Sequence, residues 1–430
     1  MRMHIYFSGI GGAGIGPLAL IAKEAGFDVS GSDKKNSSYI KYLASKGITA
    51  HIGQENDSYI SQLHSNKPID WFVYSSALPL EKPNHPEILF TKANNIKSTK
   101  RDEFLSYFLN IKNLKLIAVA GTHGKTTTTG MLIWLFKKLN IPVSYSIGAK
   151  TTFCEMGEYN KEAEYFIYEC DEFDRNFLSF KPYRSIIASV DWDHHEIYPT
   201  RDNYKEAFRQ FIKQSDKTYL YCKDEEYLNI SNNEAIVEIK DEDSLIKMVT
   251  LAGLHNRRNA TLCVKLVSEL SNINNSKIVK LINEFPGTSR RFENICTNVY
   301  SDYAHTPEEI EATMQLASEL SNNIVAIYEP LTDRRQHFAK DGYKNVFNKA
   351  GKVYWLPSYL AREDPNDSII EPTELIKGIT NKEIVEVSSM GSDLENKVIK
   401  HLNDGQLVVF LAGGGGGSLD DWVREKFTVN

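Results

Sequence analysis

Chemistry is most legible in the run Gly121-Thr122-His123-Gly124-Lys125-Thr126-Thr127-Thr128-Thr129, which directly follows the apolar stretch Leu116–Ala120. Glycines let a backbone curl until its N–H groups face a phosphate, and a helix opening there adds the positive end of its dipole. In that arrangement Lys125 neutralises β- and γ-phosphate oxygens, and the Thr126 hydroxyl is placed to ligand Mg²⁺. The sequence departs once from G-x-x-x-x-G-K-[ST]: Val119 stands where the first glycine would be, and Gly121 supplies the turn. The bland alternative is a glycine-rich strand–helix turn with a chance lysine. So long a run after five apolar residues reads instead as a nucleoside triphosphate site.

Two acidic runs belong with it. Glu169-Cys170-Asp171-Glu172-Phe173-Asp174 ends the strand-like Tyr165–Glu169, and Asp191-Trp192-Asp193-His194-His195-Glu196 follows Ser185–Val190. In a parallel sheet both would lie at the carboxyl edge that also carries the phosphate loop. Carboxylates crowd there at a cost unless a cation offsets their repulsion. Mg²⁺ prefers oxygen ligands, so one or two carboxylates and phosphate oxygens suffice. His194 either completes a second metal position or orients a carboxylate. A solvated acidic loop is the competing reading, and it fits one such run better than two.

A second glycine pattern, Gly9-x-Gly11-x-x-Gly14, separates a strand from a helix, and Asp33 closes the next strand. By pattern this is a dinucleotide fingerprint with its ribose-binding acid, which taken literally means an NAD-dependent oxidoreductase. The same geometry cradles the diphosphate of any nucleotide. Two nucleotide sites in one chain, one of them for a triphosphate, favour a nucleotide-carried substrate such as a UDP-sugar.

These residues need scaffolds. A chain of 430 residues predicts two or three domains, and 41% hydrophobic with 25% charged residues is the balance of a globular enzyme. A net charge of −6 and pI near 6.0 give no overall reason to bind nucleic acid or an anionic membrane. Cys154, Cys170, Cys222, Cys263 and Cys296 are odd in number, scattered and without a CxxC pair, which predicts reduced, buried thiols in a cytoplasmic protein. The start of the chain does not read as a signal peptide, and no apolar run is long enough to span a bilayer. Short apolar runs alternate with helical patterns throughout. They predict strands at 5–7, 28–33, 71–74, 116–120, 165–169, 185–190, 324–328 and 407–411, with helices near 15–25 and 100–108. The expected architecture is α/β in three domains: a Rossmann-like one over 1–100, a central P-loop ATPase-like one with a mostly parallel sheet over 101–292, and a second Rossmann-like one over 293–430.

Taken together, these constellations resemble the Mur ligases, and the alanine-adding members most closely, over nearly the whole chain. Gly9–Ile15, Gly31-Ser32-Asp33 and Ser75-Ser76-Ala77 look like that family's UDP-sugar domain. The resemblance implies UDP-sugar contacts at Gly11, Gly12, Ala13, Gly14, Ile15, Ser32, Asp33, Ser75, Ser76 and Ala77. It implies ATP contacts at Gly121, Thr122, His123, Gly124, Lys125, Thr126 and Thr127. Glu169 matches the family's magnesium-binding glutamate and His194 the histidine of its second metal site, so Thr126, Glu169 and His194 form the implied metal set. His255-Asn256-x-x-Asn259 resembles the adenine-side motif, Arg290-Arg291 the segment whose arginine reaches the γ-phosphate, and Asp302-Tyr303-Ala304-His305 the motif that touches the ATP ribose. Lys125, Glu169, His194 and Arg291 are the implied catalytic residues; Tyr303, His305, Arg334 and Arg335 are the implied readers of the incoming amino acid, and His194 and His305 are the candidates for taking its proton. Partners follow: ATP, Mg²⁺, UDP-N-acetylmuramate and either L-alanine or a cell-wall tripeptide, with no nucleic acid and no membrane, in a monomer or weak homodimer. Three departures from the family pattern stand out, the first two in the region that reads the acceptor. Thr306 follows His305 where alanine-adding members carry a second histidine. Tyr328-Glu329-Pro330-Leu331-Thr332-Asp333-Arg334-Arg335 lacks the histidine–arginine pair expected after the proline, and its Glu-Pro is similar to the tripeptide-recycling branch. Phe173 replaces a serine.

Overall fold

Strands buried on both faces need helices on both sides, and such strands read as unbroken apolar runs. The computed structural model describes residues 2–195, 197–230, 233–360, 368–415 and 417–428, with only the backbone of Arg334, and it builds three sheets whose central strands are of this kind. Glu196, Gly416 and the Arg334 side chain lie outside the described residues.

The first sheet contains β1 (His4–Ser8), β2 (Asp28–Asp33), β3 (Thr49–Ile52), β4 (Trp71–Tyr74) and β5 (Lys97–Lys100), in the order β3-β2-β1-β4-β5. All its pairings are parallel. The strand order reverses between β1 and β4, and a crevice opens at the carboxyl ends at such a point. The helix Arg101–Ile111 covers this sheet through one stripe, Phe104, Leu105, Phe108 and Leu109. Phe104 meets Phe7 and Trp71 edge-on, with ring centroids 5.4 and 5.2 Å apart. Burying each such ring contributes roughly 1.5–3 kcal/mol, enough to fix where Arg101 begins the helix.

The second sheet holds β6 (Lys115–Ala120), β7 (Val143–Ser146), β8 (Gly157–Glu158), β9 (Tyr165–Glu169), β10 (Arg184–Ile187), β11 (Thr218–Tyr221) and β12 (Ile236–Ile239). Its order is β12-β11-β10-β6-β9-β7-β8, and only the short edge strand β8 pairs antiparallel. Central β6 is flanked by β9 and β10, with Val119 opposite Glu169 and Ala120 opposite Ile187. That register delivers both acidic runs beside the loop at the end of β6.

The third sheet holds β13 (Glu293–Cys296), β14 (Val299–Asp302), β15 (Ile324–Glu329), β16 (Lys352–Trp355), β17 (Val385–Val387) and β18 (Leu407–Ala412) in the order β13-β14-β18-β15-β16-β17. Asp302 and Tyr328 both lie opposite Leu411, so β14 and β15 end within one residue of each other on either side of β18. The chain divides into two compact units, Met1–Leu245 with Asn259–Phe285, and Ile246–Arg258 with Pro286–Asn430. No helix among the described residues is long and apolar enough to cross a membrane.

The strand expected at 185–190 stops at Ile187, because the chain leaves the ladder there to wrap the phosphate loop. The cysteines also differ from expectation. All five are free, but only Cys170 and Cys263 are buried, while Cys154, Cys222 and Cys296 are partly exposed.

Candidate functional site

The phosphate loop is shaped by its neighbours as much as by its own glycines. Gly121 has φ +132°, and a Cβ there would come within 2.8 Å of the Ser189 carbonyl oxygen. Thr122 N donates to that oxygen at 2.9 Å, while its hydroxyl lies 2.7 Å from both the Asp191 carbonyl and the Tyr204 hydroxyl. His123 N donates to Ser189 Oγ at 3.1 Å. Gly124 adopts φ +82° at the start of the helix Lys125–Lys138, and a Cβ on it would meet the Asn259 amide at 2.9 Å. The loop is thus pinned on the segment after β10, and its glycines are required by close approach.

Lys125 Nζ donates to the Gly121 and Thr122 carbonyls at 2.6 and 3.1 Å and pairs with Glu172 Oε2 at 2.8 Å. Glu172 is fully buried. Burial alone would raise its carboxyl, but Lys125 and then His194 outweigh that and hold it below the ordinary range. The same pairing raises Lys125 against the effect of its own burial. Thr126 Oγ donates to Glu169 Oε1 at 2.7 Å, and Gly148 N donates to Glu169 Oε2 at 2.8 Å. His194, in a left-handed conformation at φ +54°, places Nε2 3.6 Å from Glu172 Oε1 and 3.8 Å from Asp193 Oδ2. Asp171, Glu172 and His194 each offer a donor atom within 4.8 Å of the others. The Thr126–Glu169 pair supplies hard oxygen donors next to the phosphate loop, which fits Mg²⁺. Glu172, though in an acidic run singled out by sequence, was not recognised as the lysine's partner; its only signal was its place in Asp171-Glu172-Phe173-Asp174.

At the first glycine turn, Gly9 N and Ile10 N donate to the Ser32 carbonyl at 2.8 and 3.0 Å, and Gly12 N donates to Gly9 O at 3.0 Å. Asp33 accepts from Gly11 N at 2.8 Å and Lys35 N at 3.2 Å, so its carboxylate also braces the turn. Ala13 and Ile15 lie in the turn itself, Ile15 buried beneath it. Beneath the turn, Glu87 accepts from Tyr6 OH (2.7 Å), Ser8 Oγ (2.6 Å), Ser32 Oγ (2.5 Å) and Gln54 Nε2 (3.2 Å). The Ser32 hydroxyl is therefore engaged from below. Sequence reasoning missed Glu87 and Gln54 because neither sits in a recognisable motif. Ser75 and Ser76 precede the short helix beginning at Ala77, and Ser76 Oγ donates to Asn176 Oδ1 at 3.1 Å.

In the second unit, Asp302 accepts from Phe292 N at 2.6 Å, Ala304 N at 2.8 Å and Thr313 Oγ at 3.2 Å. It fixes the bend Arg290–Phe292, where Arg290 and Phe292 have φ +61° and +46°. That bend presents Arg291, which lies 3.8 Å from Glu309 and over the Tyr303 ring at 5.1 Å. Arg335 Nη1 donates to His305 Nε2 at 2.6 Å, and His305 Nδ1 lies 2.9 Å from Tyr303 O and 3.0 Å from Glu309 Oε2. An arginine only donates, so this places the proton on Nδ1 and occupies the lone pair of Nε2. In this arrangement His305 positions Arg335. Glu329, at the end of β15, accepts from Leu419 N at 3.0 Å, and burial pushes its carboxyl up to about 7. Asn256 donates to Ala252 O at 2.9 Å.

Burial pushes His255 down to about 4 against Glu319, with Arg257 and Arg291 adding to the push. A histidine kept neutral in the fold but protonated in the unfolded chain makes stability fall as pH drops below 6.5, and go on falling towards about 4. Urea midpoints of wild type and His255→Gln at pH 7.5 and 5 should diverge, with the variant losing less on acidification. Equal losses in both proteins would remove His255 as the cause.

An ATP-dependent ligase built on three α/β domains is the class that this fold and phosphate loop define. The chain belongs to the Mur ligase family. Residues 4–112 match the Mur ligase family catalytic domain, 119–246 the Mur ligase middle domain, and 290–414 the Mur ligase glutamate ligase domain. A UDP-N-acetylmuramate–L-alanine ligase of Clostridium botulinum is 30% identical over 452 residues, covering 96% of this chain and 95% of the relative. One of the same name from Fusobacterium nucleatum is 30% identical, with 95% and 94% covered. Among solved structures, the UDP-N-acetylmuramate-alanine ligase of Thermotoga maritima superimposes with TM-score 0.74 at 23% identity, covering 99% of this chain and 98% of the other. A murein peptide ligase of Psychrobacter arcticus gives TM-score 0.65 at 22% identity, with 100% and 99% covered. These two share the fold.

Proposed function

We propose that the chain joins L-alanine to the carboxylate of UDP-N-acetylmuramate, using ATP and passing through an acyl phosphate, in the making of peptidoglycan precursors. The observation that carries this reading is full-length similarity to relatives of that name, over 96% of the chain in the first. The proposed division is a sugar-nucleotide domain over 1–100, an ATP domain over 101–292 and an acceptor domain over 293–430. The reading includes a cytoplasmic location and a monomer or weak homodimer.

A carboxylate is a poor electrophile, so amide formation needs a leaving group, which the γ-phosphoryl of ATP provides. Two anions must then meet, and the chain's task is to offset their repulsion. Lys125 contributes a cation already fixed by two loop carbonyls and a buried carboxylate. Thr126 and Glu169, with His194 at a second position, would hold Mg²⁺, which when bound neutralises phosphate charge. Arg291 is the residue we assign to the transferred phosphoryl group, and Tyr303, His305, Arg334 and Arg335 to the acceptor.

The second reading is tripeptide addition, favoured by the buried Glu329 in Tyr328-Glu329-Pro330. Phosphate release with ATP, Mg²⁺ and UDP-N-acetylmuramate, offering L-alanine, L-serine, glycine or the tripeptide in turn, separates them. Dependence on both sugar and L-alanine supports the first; release with tripeptide alone selects the second; silence with every acceptor rejects the muramate substrate.

A further inference from the structure

Where β5 passes into the helix Arg101–Ile111, two adjacent cations both reach the acidic segment after β9. Lys100 Nζ pairs with Asp174 Oδ2 at 2.5 Å. Arg101 donates from Nε to Asp102 Oδ2 and from Nη2 to Asp171 Oδ2, each at 3.1 Å. Its guanidinium also lies against the first glycine turn, since a Cβ on Gly14 would overlap Nη1 and come 2.9 Å from Cζ. Gly14 is thus a glycine because an arginine occupies the space. The acidic segment is itself strained, with Asp174 and Arg175 both left-handed at φ +53° and +58°. Such conformations cost of order 1–3 kcal/mol each and persist where the surroundings over-determine them.

The two carboxylates that hold Arg101 are not equivalent. Asp102 is 1% exposed and is fixed from behind by Tyr168 OH at 2.8 Å. Asp171 is 37% exposed. A buried partner is costly to remove, whereas Asp171 is open to solvent on one side, so its carboxylate gives up the largely buried Arg101 more readily than Asp102 does. A guanidinium is also the side chain best matched to two phosphate oxygens at once.

Resting on the reading of residues 9–14 as the sugar-nucleotide turn, we propose that Arg101 binds the diphosphate of that substrate at the Gly14 corner, keeping Asp102 and exchanging Asp171 for phosphate oxygens. Asp171 is then released where it stands, within 4.8 Å of donor atoms on Glu172 and His194. Binding of one substrate thereby leaves Asp171, still accepting from Phe173 N at 3.1 Å, without its arginine counter-charge in the group that faces Lys125.

The exchange makes two opposite predictions, read by calorimetric titration of full-length protein with UDP and with UDP-N-acetylmuramate in the absence of ATP. Arg101→Ala should weaken both by about 10- to 100-fold, the loss of a charge-assisted pair of hydrogen bonds. Asp171→Asn should tighten both several-fold, because the competing carboxylate is gone. Arg101→Ala should not move ADP affinity by more than about twofold, since Arg101 makes no contact with the phosphate loop in this scheme. Should Arg101→Ala fail to fold, Asp171→Asn decides alone. Unchanged binding in Arg101→Ala, or weakening in Asp171→Asn, would overturn the proposal, because a merely structural ion pair loses on removal of either partner. If wild type binds UDP but not the muramate nucleotide and Arg101→Ala still weakens UDP, the inference stands and the muramate reading falls.

Discussion

Lys125→Ala is expected to reduce phosphate release by about 10³-fold or more, on the scale seen when a fixed charge facing a transferred phosphoryl group is lost. It should also destabilise the fold. Glu172 is 1% exposed at its side chain and Lys125 is its principal counter-charge, so the substitution strands a buried carboxylate. Breaking one side of a buried pair costs roughly 3–5 kcal/mol, whereas replacing both sides by neutral groups costs far less. The double variant Lys125→Ala/Glu172→Gln should therefore recover most of the denaturant midpoint and none of the activity. Paired activity and urea-unfolding measurements separate the two effects. Wild-type turnover in either variant would remove the phosphate loop from the mechanism.

Glu169→Gln is the second large effect expected. The amide retains the size of the carboxylate; its single oxygen can accept from Gly148 N while its NH2 donates to the Thr126 hydroxyl, so the local fold should survive. What it loses is charge beside the Thr126 hydroxyl. Turnover at saturating substrates should fall by about 10²–10³-fold, and the Mg²⁺ concentration for half-maximal rate should rise by at least about tenfold. ADP binding measured with EDTA should stay unchanged. A fall in rate with an unaltered Mg²⁺ requirement would assign Glu169 a purely structural role.

The sequence was most informative where local chemistry and strand order coincide. Gly121–Thr126 and the two acidic runs were legible because residue type, spacing and a preceding apolar run all agree, and the pairing of Val119 with Glu169 then brings them together. Glu87, Gln54 and Arg101 were not legible. They come from elements without a motif, and their meaning arises only when β5 and its neighbours bring them under or against the glycine turn. Weakly patterned edge strands such as β5, Lys97-Ser98-Thr99-Lys100, were missed for a related reason: with only intermediate or exposed residues, they carry no apolar run. Asp33 reads by pattern as a ribose-binding acid and Asp302 by resemblance as part of a ribose motif, whereas the structure shows each carboxylate also bracing backbone, which spacing alone does not reveal.

The position of β6 has a consequence during synthesis. It lies at the middle of the seven-stranded sheet yet is made first, and both of its partners, β9 and β10, come much later in the chain. The first sheet, by contrast, draws every strand from residues before Arg101 and can pair as soon as they have left the ribosome. Leu116–Ala120 therefore emerges as an uncharged apolar run with no neighbour to pair with, and Lys115 at its start is the one charge in the strand. Such runs are where nascent chains associate wrongly, and a flanking lysine is the usual guard against it. The strand that carries the phosphate loop is thus also a run that stays unpaired until β9 and β10 have been made.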